Sequence, residues 1–234
     1  KAMVLALRNK YLGSVLLLEL LAGTAIAITS SNYLFVAEFV FGLSDGQASL
    51  ILMFFFTMAV VALPFWLQLA KRTEKSVAFR VAVLLSVTSF FMYYAAGQFG
   101  GFWPLFIGAA VNGAAFSAPI VLTRSMAADI VELQAANTGE NRSGIYYSLL
   151  TSAYKIGNSL AFGVGYLVVG QVAGFHPGRE NTPETIHGLL LVFCLLPGIL
   201  YAIAAWVSTK YPLTRAMQQE ISKSLDPRGP EVMD

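Results

Sequence analysis

The chain has 234 residues, 56% of them hydrophobic and only 12% charged, with a mean hydropathy of +0.65 and a formal net charge of +2. A soluble domain of this size carries about twice that charged fraction, so the composition is that of an integral membrane protein. The fifteen Lys and Arg residues are scattered through short loops and offer no nucleic-acid surface, and the one cysteine, Cys194, allows neither an intrachain disulfide nor a zinc cluster.

The chain opens Lys-Ala-Met-Val and lacks the short apolar core of a cleavable signal peptide; a lysine start suggests a piece of a longer polypeptide. A spanning helix needs roughly 20 mainly apolar residues. The first such stretch covers residues 12–41, long enough to tilt, with Thr29, Ser30, Ser31 and Asn32 in its middle. The second covers 48–69, with Pro64 near its inner end, and Lys71, Arg72, Lys75 and Arg80 follow in a tight basic loop or its flanks. The third, 77–96, leads into an outer turn at Gly97, Gly100 and Gly101. The fourth, 102–126, contains Asn112, Gly113 and Pro119, and precedes a polar cytoplasmic loop over 129–143. The fifth, 144–172, is rich in Gly and Ser. An outer loop with His176, Arg179, Glu180 and Glu184 separates it from the sixth, 186–209; residues 210–234 form a cytoplasmic tail, amphipathic or disordered.

Threading these stretches in order puts every Lys and Arg except Lys155 and Arg179 on one side of the membrane. Excess Lys and Arg mark cytoplasmic loops. The expectation is therefore a multi-pass protein of the plasma (inner) membrane with both termini cytoplasmic. The two triplets of helices have opposite topology, as in an inverted 3+3 repeat. The expected fold is all-α: one six-helix transmembrane bundle over 1–209.

Lys155 lies inside the fifth span, about 16 Å deep by helix rise, too deep for easy snorkelling. An intramembrane cation points by default to a functional site. Thr151 and Asn158, four residues before and three after, share its face. Together they read as a cavity-lining donor set for an anionic or polyhydroxylated ligand, with Asn32 and Asn112 expected across the cavity. The structural alternative is a buried ion pair. Glu19, about 12 Å into the first span, is a possible coupling carboxylate, although an inner-third Glu reaching cytoplasmic water is the plainer account. Gly157, Ser159, Ala161, Gly163 and Gly165 form a small-residue tract suited to close helix packing. Asp129, Glu132 and Arg142, with Arg72, read as a charged cytoplasmic gate rather than a metal site. Asn141-Arg142-Ser143 matches a glycosylation sequon but is placed inside the cell. No zinc-protease helix, phosphate-cradling loop or nucleophile elbow is present, so no enzyme is expected, and neither is a metal.

The run Ala128-Asp129-Ile130-Val131-Glu132, then Thr138-Gly139-Glu140-Asn141-Arg142-Ser143-Gly144, Ser148 and Lys155-Ile156-Gly157, resembles the melibiose-permease-like glycoside–pentoside–hexuronide:cation symporters of the major facilitator superfamily. Tyr-Pro-Leu-Thr-Arg at 211–215 and the basic segment 64–80 agree with it. The likeness covers essentially the whole chain as the C-terminal six of twelve helices. It implies cation-coupled symport of a small polar, sugar- or glycoside-type solute by alternating access, with membrane lipid and an N-terminal six-helix half as partners. It matches Lys155 to the lysine facing the central cavity, Thr151 to a neighbouring cavity position, and Asp129, Glu132 and Arg142 to charges that close the inner face. It implies no cofactor, and a coupling cation, Na+ or H+, bound mainly in the N-terminal half. The sequence departs from the pattern at Leu133-Gln134-Ala135-Ala136 and at Glu19. The competing reading is a non-transporting six-helix scaffold or regulatory subunit, its polar residues serving as packing glue.

Overall fold

The computed structural model describes residues 10–100, 102–140, 142–213 and 217. They are all-helical: α1 (Lys10–Phe35) running into a π-helical turn (Val36–Val40), α2 (Asp45–Arg72), α3 (Lys75–Phe99), α4 (Phe102–Thr138), α5 (Ser143–Leu167) running into a second π-helical turn (Val168–Val172), and α6 (Pro183–Ser208). Local chemistry sets several of these boundaries. Ser44 and Gln47 close a reciprocal capping box at the start of α2. Thr182 caps α6 and is followed by Pro183, whose missing N–H is lost at no expense in a first turn.

Among the described residues five helices are long and apolar enough to cross a membrane, namely those within Tyr11–Val40, Asp45–Arg72, Lys75–Phe99, Trp103–Thr138 and Pro183–Ser208. α5 is not among them. It has the length, 25 residues, but intersperses its apolar positions with Ser148, Thr151, Ser152, Lys155, Asn158 and Ser159.

One boundary departs from the sequence reading. The expected loop over 129–143 is helical as far as Thr138, so Asp129 and Glu132 stand on an inner extension of α4. The reason is visible in its packing. Ile130 is fully buried, and Gln134 accepts a hydrogen bond from the Tyr146 hydroxyl of α5, so the extension has a buried face and a tertiary anchor. Asn141, with its sequon, and the tail beyond Leu213 lie outside the described residues, Met217 excepted.

The core is built from α1, α3, α4 and α6. α3 packs on both α4 and α6, and α6 packs on α1. Phe79, Leu122, Met126 and Leu189 lie at their junctions, fully or almost fully buried. α2 and α5 sit at the edges, α2 docked mainly on α4 and α5 mainly on α1. Each docks through a glycine. A Cβ at Gly113 of α4 would fall 2.4 Å from the Phe55 carbonyl oxygen of α2, and one at Gly157 of α5 would fall 2.7 Å from the Leu20 carbonyl oxygen of α1. Only hydrogen fits either gap. The Trp66 indole reinforces the first contact by donating to the Ala114 carbonyl at 2.6 Å. Gly157 and fully buried Ala161 thus serve packing, whereas Gly163 faces open space.

Candidate functional site

Because α5 leans on α1 through Gly157, Ala161 and Gly165, its opposite face is turned out of the bundle. Ser148, Thr151, Ser152, Lys155 and Ser159 are all exposed there. Their spacings of three and four residues align them as one polar stripe along the helix. The Ser148 and Ser152 hydroxyls donate to the carbonyls of Ile145 and Ser148, both at 2.8 Å, which leaves their oxygen lone pairs directed outward as acceptors. Lys155 is central to the stripe and makes no ion pair among the described residues. Asn158 is half-buried at the margin and turns its amide back to the Tyr154 carbonyl at 2.9 Å. The stripe therefore combines a cation with hydroxyl acceptors, a donor and acceptor set suited to a polar ligand. Ser148, Ser152 and Ser159 extend the sequence-derived set; their period with Lys155 was the signal that could have found them.

Asn32 and Asn112 do not join Lys155. Asn32 is buried and bonds its own helix, donating to the Ile28 carbonyl at 2.8 Å and the Ser31 hydroxyl at 3.2 Å. It borders an outer cavity of about 370 Å³ with Phe162, Gln171 and His176. Asn112 lines a different cavity, about 80 Å³, among Thr29, Ser30, Tyr33, Phe55 and Tyr93, to which α5 contributes nothing. Within this bundle α4 presents Asn112 to the aromatic interior between α1, α2 and α3, whereas α5 presents Lys155 outward.

The inner end carries the charged cluster. Lys75, at the start of α3, binds both Asp129 carboxylate oxygens at 2.6 and 2.7 Å and the Ser125 carbonyl at 3.2 Å. Arg72, read from the sequence as part of the charged gate, is exposed at the end of α2 and forms no ion pair among the described residues. The turn at Thr73 and Glu74 explains the difference: α3 begins there and points Lys75 at α4. Tyr211 closes over the pair, its hydroxyl 3.4 Å from the Met126 carbonyl. Burial, then the Asp129 charge, hold its phenol well above the ordinary range. Arg142 pairs locally with Glu140 at 2.6 Å, and Glu132 is exposed. Asp129 is thus braced inside the bundle, while Glu132 and Arg142 remain on its inner surface.

Glu19 does not reach water. It is 3% exposed, wedged between α1 and α4, where the Thr123 hydroxyl lies 2.5 Å from Oε2. Its Oε1 is buried and meets no hydrogen-bond partner among the described residues. Among the described residues no cluster of His, Cys, Asp or Glu is arranged to hold a metal ion.

Residues 1–215 match the family described as MFS/sugar transport protein. The chain is also similar to an uncharacterized symporter of Synechocystis sp., 26% identical over 245 residues, an alignment covering 97% of this chain and 43% of the relative. The chain therefore spans less than half the length of the curated relative it matches. Both matches are to transporters rather than enzymes.

Proposed function

The chain belongs to the MFS/sugar transport protein family, and we propose that it is the C-terminal six-helix half of a secondary transporter. In this reading α5 also spans the membrane, as the fifth of six spans, the two triplets of helices form an inverted repeat, and both termini are cytoplasmic in a plasma or inner membrane. An N-terminal bundle of the same transporter covers the free faces of α2 and α5. The two halves rock about a midplane site and symport a small sugar- or glycoside-type solute with a cation. Lys155, Thr151 and the neighbouring serines bind the solute.

The single observation that supports this most is the polar stripe of α5, turned away from its own bundle with Lys155 at its centre. A lysine at bilayer depth is disfavoured by about 2.5–3.5 kcal/mol if it faces lipid. A water-filled cavity against a second bundle removes that penalty, and hydroxyl acceptors beside the ammonium suit a polyhydroxylated ligand. A scaffold that packed α5 against lipid would leave the same stripe unsolvated.

The test is accessibility. In the full-length protein, with buried Cys194 as the only native thiol of this half, Lys155→Cys is treated with a charged, membrane-impermeant thiol reagent from each side. Labelling from both sides, slowed by a transported solute, is the expected result. Labelling only by a lipid-soluble reagent would place α5 against hydrocarbon and end the transporter reading.

A further inference from the structure

Glu19 has the hydrogen-bonding surroundings of a group that alternates between two protonation states. Thr123 Oγ1 lies within hydrogen-bond distance of three acceptors: Glu19 Oε2 at 2.5 Å, the Pro119 carbonyl at 2.8 Å and the Ile120 carbonyl at 3.3 Å. A hydroxyl has one proton to give. If Glu19 is ionised, Thr123 donates to the carboxylate and gives up its bond to the helix carbonyl. If Glu19 is protonated, its O–H donates to Thr123 Oγ1, and Thr123 turns its own proton to Pro119. Rotation of one hydroxyl serves both states without moving a helix. The second carboxylate oxygen, Oε1, is buried without a donor among the described residues, so the ionised form lacks compensation on that side.

We propose that Glu19, with Thr123 as its switching hydrogen-bond partner, is a proton-binding site of this half, loaded and unloaded during transport. The step is plain: when the transport cycle opens the site to water, the carboxyl O–H breaks, the proton passes to that water, and the carboxylate keeps the electron pair. The charged and titratable groups facing it are few. Arg124 on α4 is exposed, and its positive charge acts on the Glu19 carboxylate. From α5, Tyr154 packs where a side chain at Gly23 would stand, one turn along α1. From α6, Tyr201 is near enough to Tyr154 for the two phenols to interact. Lys155, next to Tyr154 in sequence, is on the free face of α5. Only Arg124 brings a charge to bear from α4, so proton release is set by when Arg124 and the carboxylate are open to water. This inference rests on the transporter reading, and it adds a coupling site in the half where the sequence resemblance implied little.

The experiment uses the full-length protein in proteoliposomes and has two readouts. The first needs no substrate: pH-difference infrared spectroscopy of the carboxylic acid C=O stretch. A band present at low pH and lost at high pH, absent in Glu19→Gln and displaced in frequency in Thr123→Val, is the expected result. An unchanged band pattern in Glu19→Gln overturns the proposal. Loss of the band on adding sodium at constant pH also overturns it, in favour of a sodium site. The second readout is the ratio of protons to radiolabelled melibiose moved. Protons should accompany the sugar in the native protein and be lost from the ratio in Glu19→Gln; an unaltered ratio contradicts the proposal. If the native protein moves no melibiose, the sugar reading fails by itself, and the infrared band still decides Glu19.

Discussion

Two helices, α2 and α5, stand at opposite edges of the bundle, each seated by a glycine that lets backbone approach backbone. Their free faces differ in kind. α2 is the least enclosed of the spans, with 17% of its apolar window buried, and it turns out Leu50, Met53, Val60, Val61 and Phe65. Such a face is stable against lipid or an apolar helix. α5 turns out Ser148, Thr151, Ser152, Lys155 and Ser159 beside Ile156 and Leu160, a face that hydrocarbon does not solvate. Similar docking geometry therefore imposes opposite requirements on what lies outside. Water or a polar partner suits α5, and only one of the two edges carries a polar stripe.

The comparison breaks most sharply at Lys155. In the full-length transporter Lys155→Ala should insert and fold as the native protein does, because alanine is well tolerated on any exposed helix face. Solute uptake should fall to background, since the one cation of the stripe is gone. Lys155→Arg should recover uptake only in part, because a planar fork does not reproduce a compact ammonium. Native uptake by the alanine variant would show that the stripe of α5 is not the binding face. The converse substitution tests α2. Val61→Lys, on a side chain 64% exposed, places a lysine where no polar stripe exists. It should disfavour insertion by about 2.5–3.5 kcal/mol, read as lost membrane-integrated protein. Equal expression with Val61 would mean that α2 also faces water.

Much of this contrast is legible in the sequence, and the reasons are local. Spacings of three and four residues mark Thr151 and Lys155 as sharing a face, and the length of each apolar run marks a helix without any tertiary information. Which way a face points is not local. Asn112 and Lys155 are both polar residues inside helices, yet the packing of α4 and the Gly157 contact of α5 turn them to different places. The inner extension of α4 was hidden for a similar reason. Polar residues around Asp129 read as a loop until Ile130, Gln134 and Tyr146 supply the buried face that holds the helix together. Lys75 was legible only as one member of a basic run, and the start of α3 is what brings it to Asp129. Glu19 shows the same limit: its distance along α1 can be counted, but its burial against Thr123 depends on α4.

The docking of the two edges can be sharpened with smaller substitutions. Gly113→Ala should destabilise more than Gly157→Ala, because its added Cβ meets the Phe55 carbonyl at 2.4 Å against 2.7 Å at Leu20. Both obstacles are backbone, so relief requires a helix to move, and overpacking of this kind costs about 1–3 kcal/mol. Thermal unfolding of the detergent-solubilised full-length protein should rank Gly113→Ala below Gly157→Ala, with native protein highest. The reverse order would mean that α2 is the looser edge. Next in size is the brace between α3 and α4 formed by Lys75 and Asp129. The Lys75 and Asp129 side chains are 22% and 6% exposed. Lys75→Met removes the ammonium that binds both oxygens of a nearly buried carboxylate, a loss of about 1–2 kcal/mol, short of what a fully enclosed pair would show. Combining it with Asp129→Leu should restore part of the stability, since the carboxylate that lost its ammonium is then gone as well. A double variant less stable than either single one would instead show that the bond to the Ser125 carbonyl or the cover by Tyr211 carries the contact.

Arg142 should give the smallest effect on stability and the most selective one on function. Its bond to Glu140 spans two residues of one turn, and the Glu140 side chain is 63% exposed, so solvent and salt screen the pair. Arg142→Gln should change the unfolding midpoint by no more than an exposed ion pair is worth, about 0–1 kcal/mol. The guanidinium nevertheless stands at the entry to α5, the edge whose polar face the proposed second bundle would cover. If Arg142 exchanges Glu140 for a partner on that bundle when the inner side closes, its loss weakens one conformation and leaves the fold intact. Lys155→Cys provides the readout: adding Arg142→Gln should raise its labelling from the cytoplasmic side and lower it from outside. A variant that loses stability without redistributing the label would confine Arg142 to bracing its own turn.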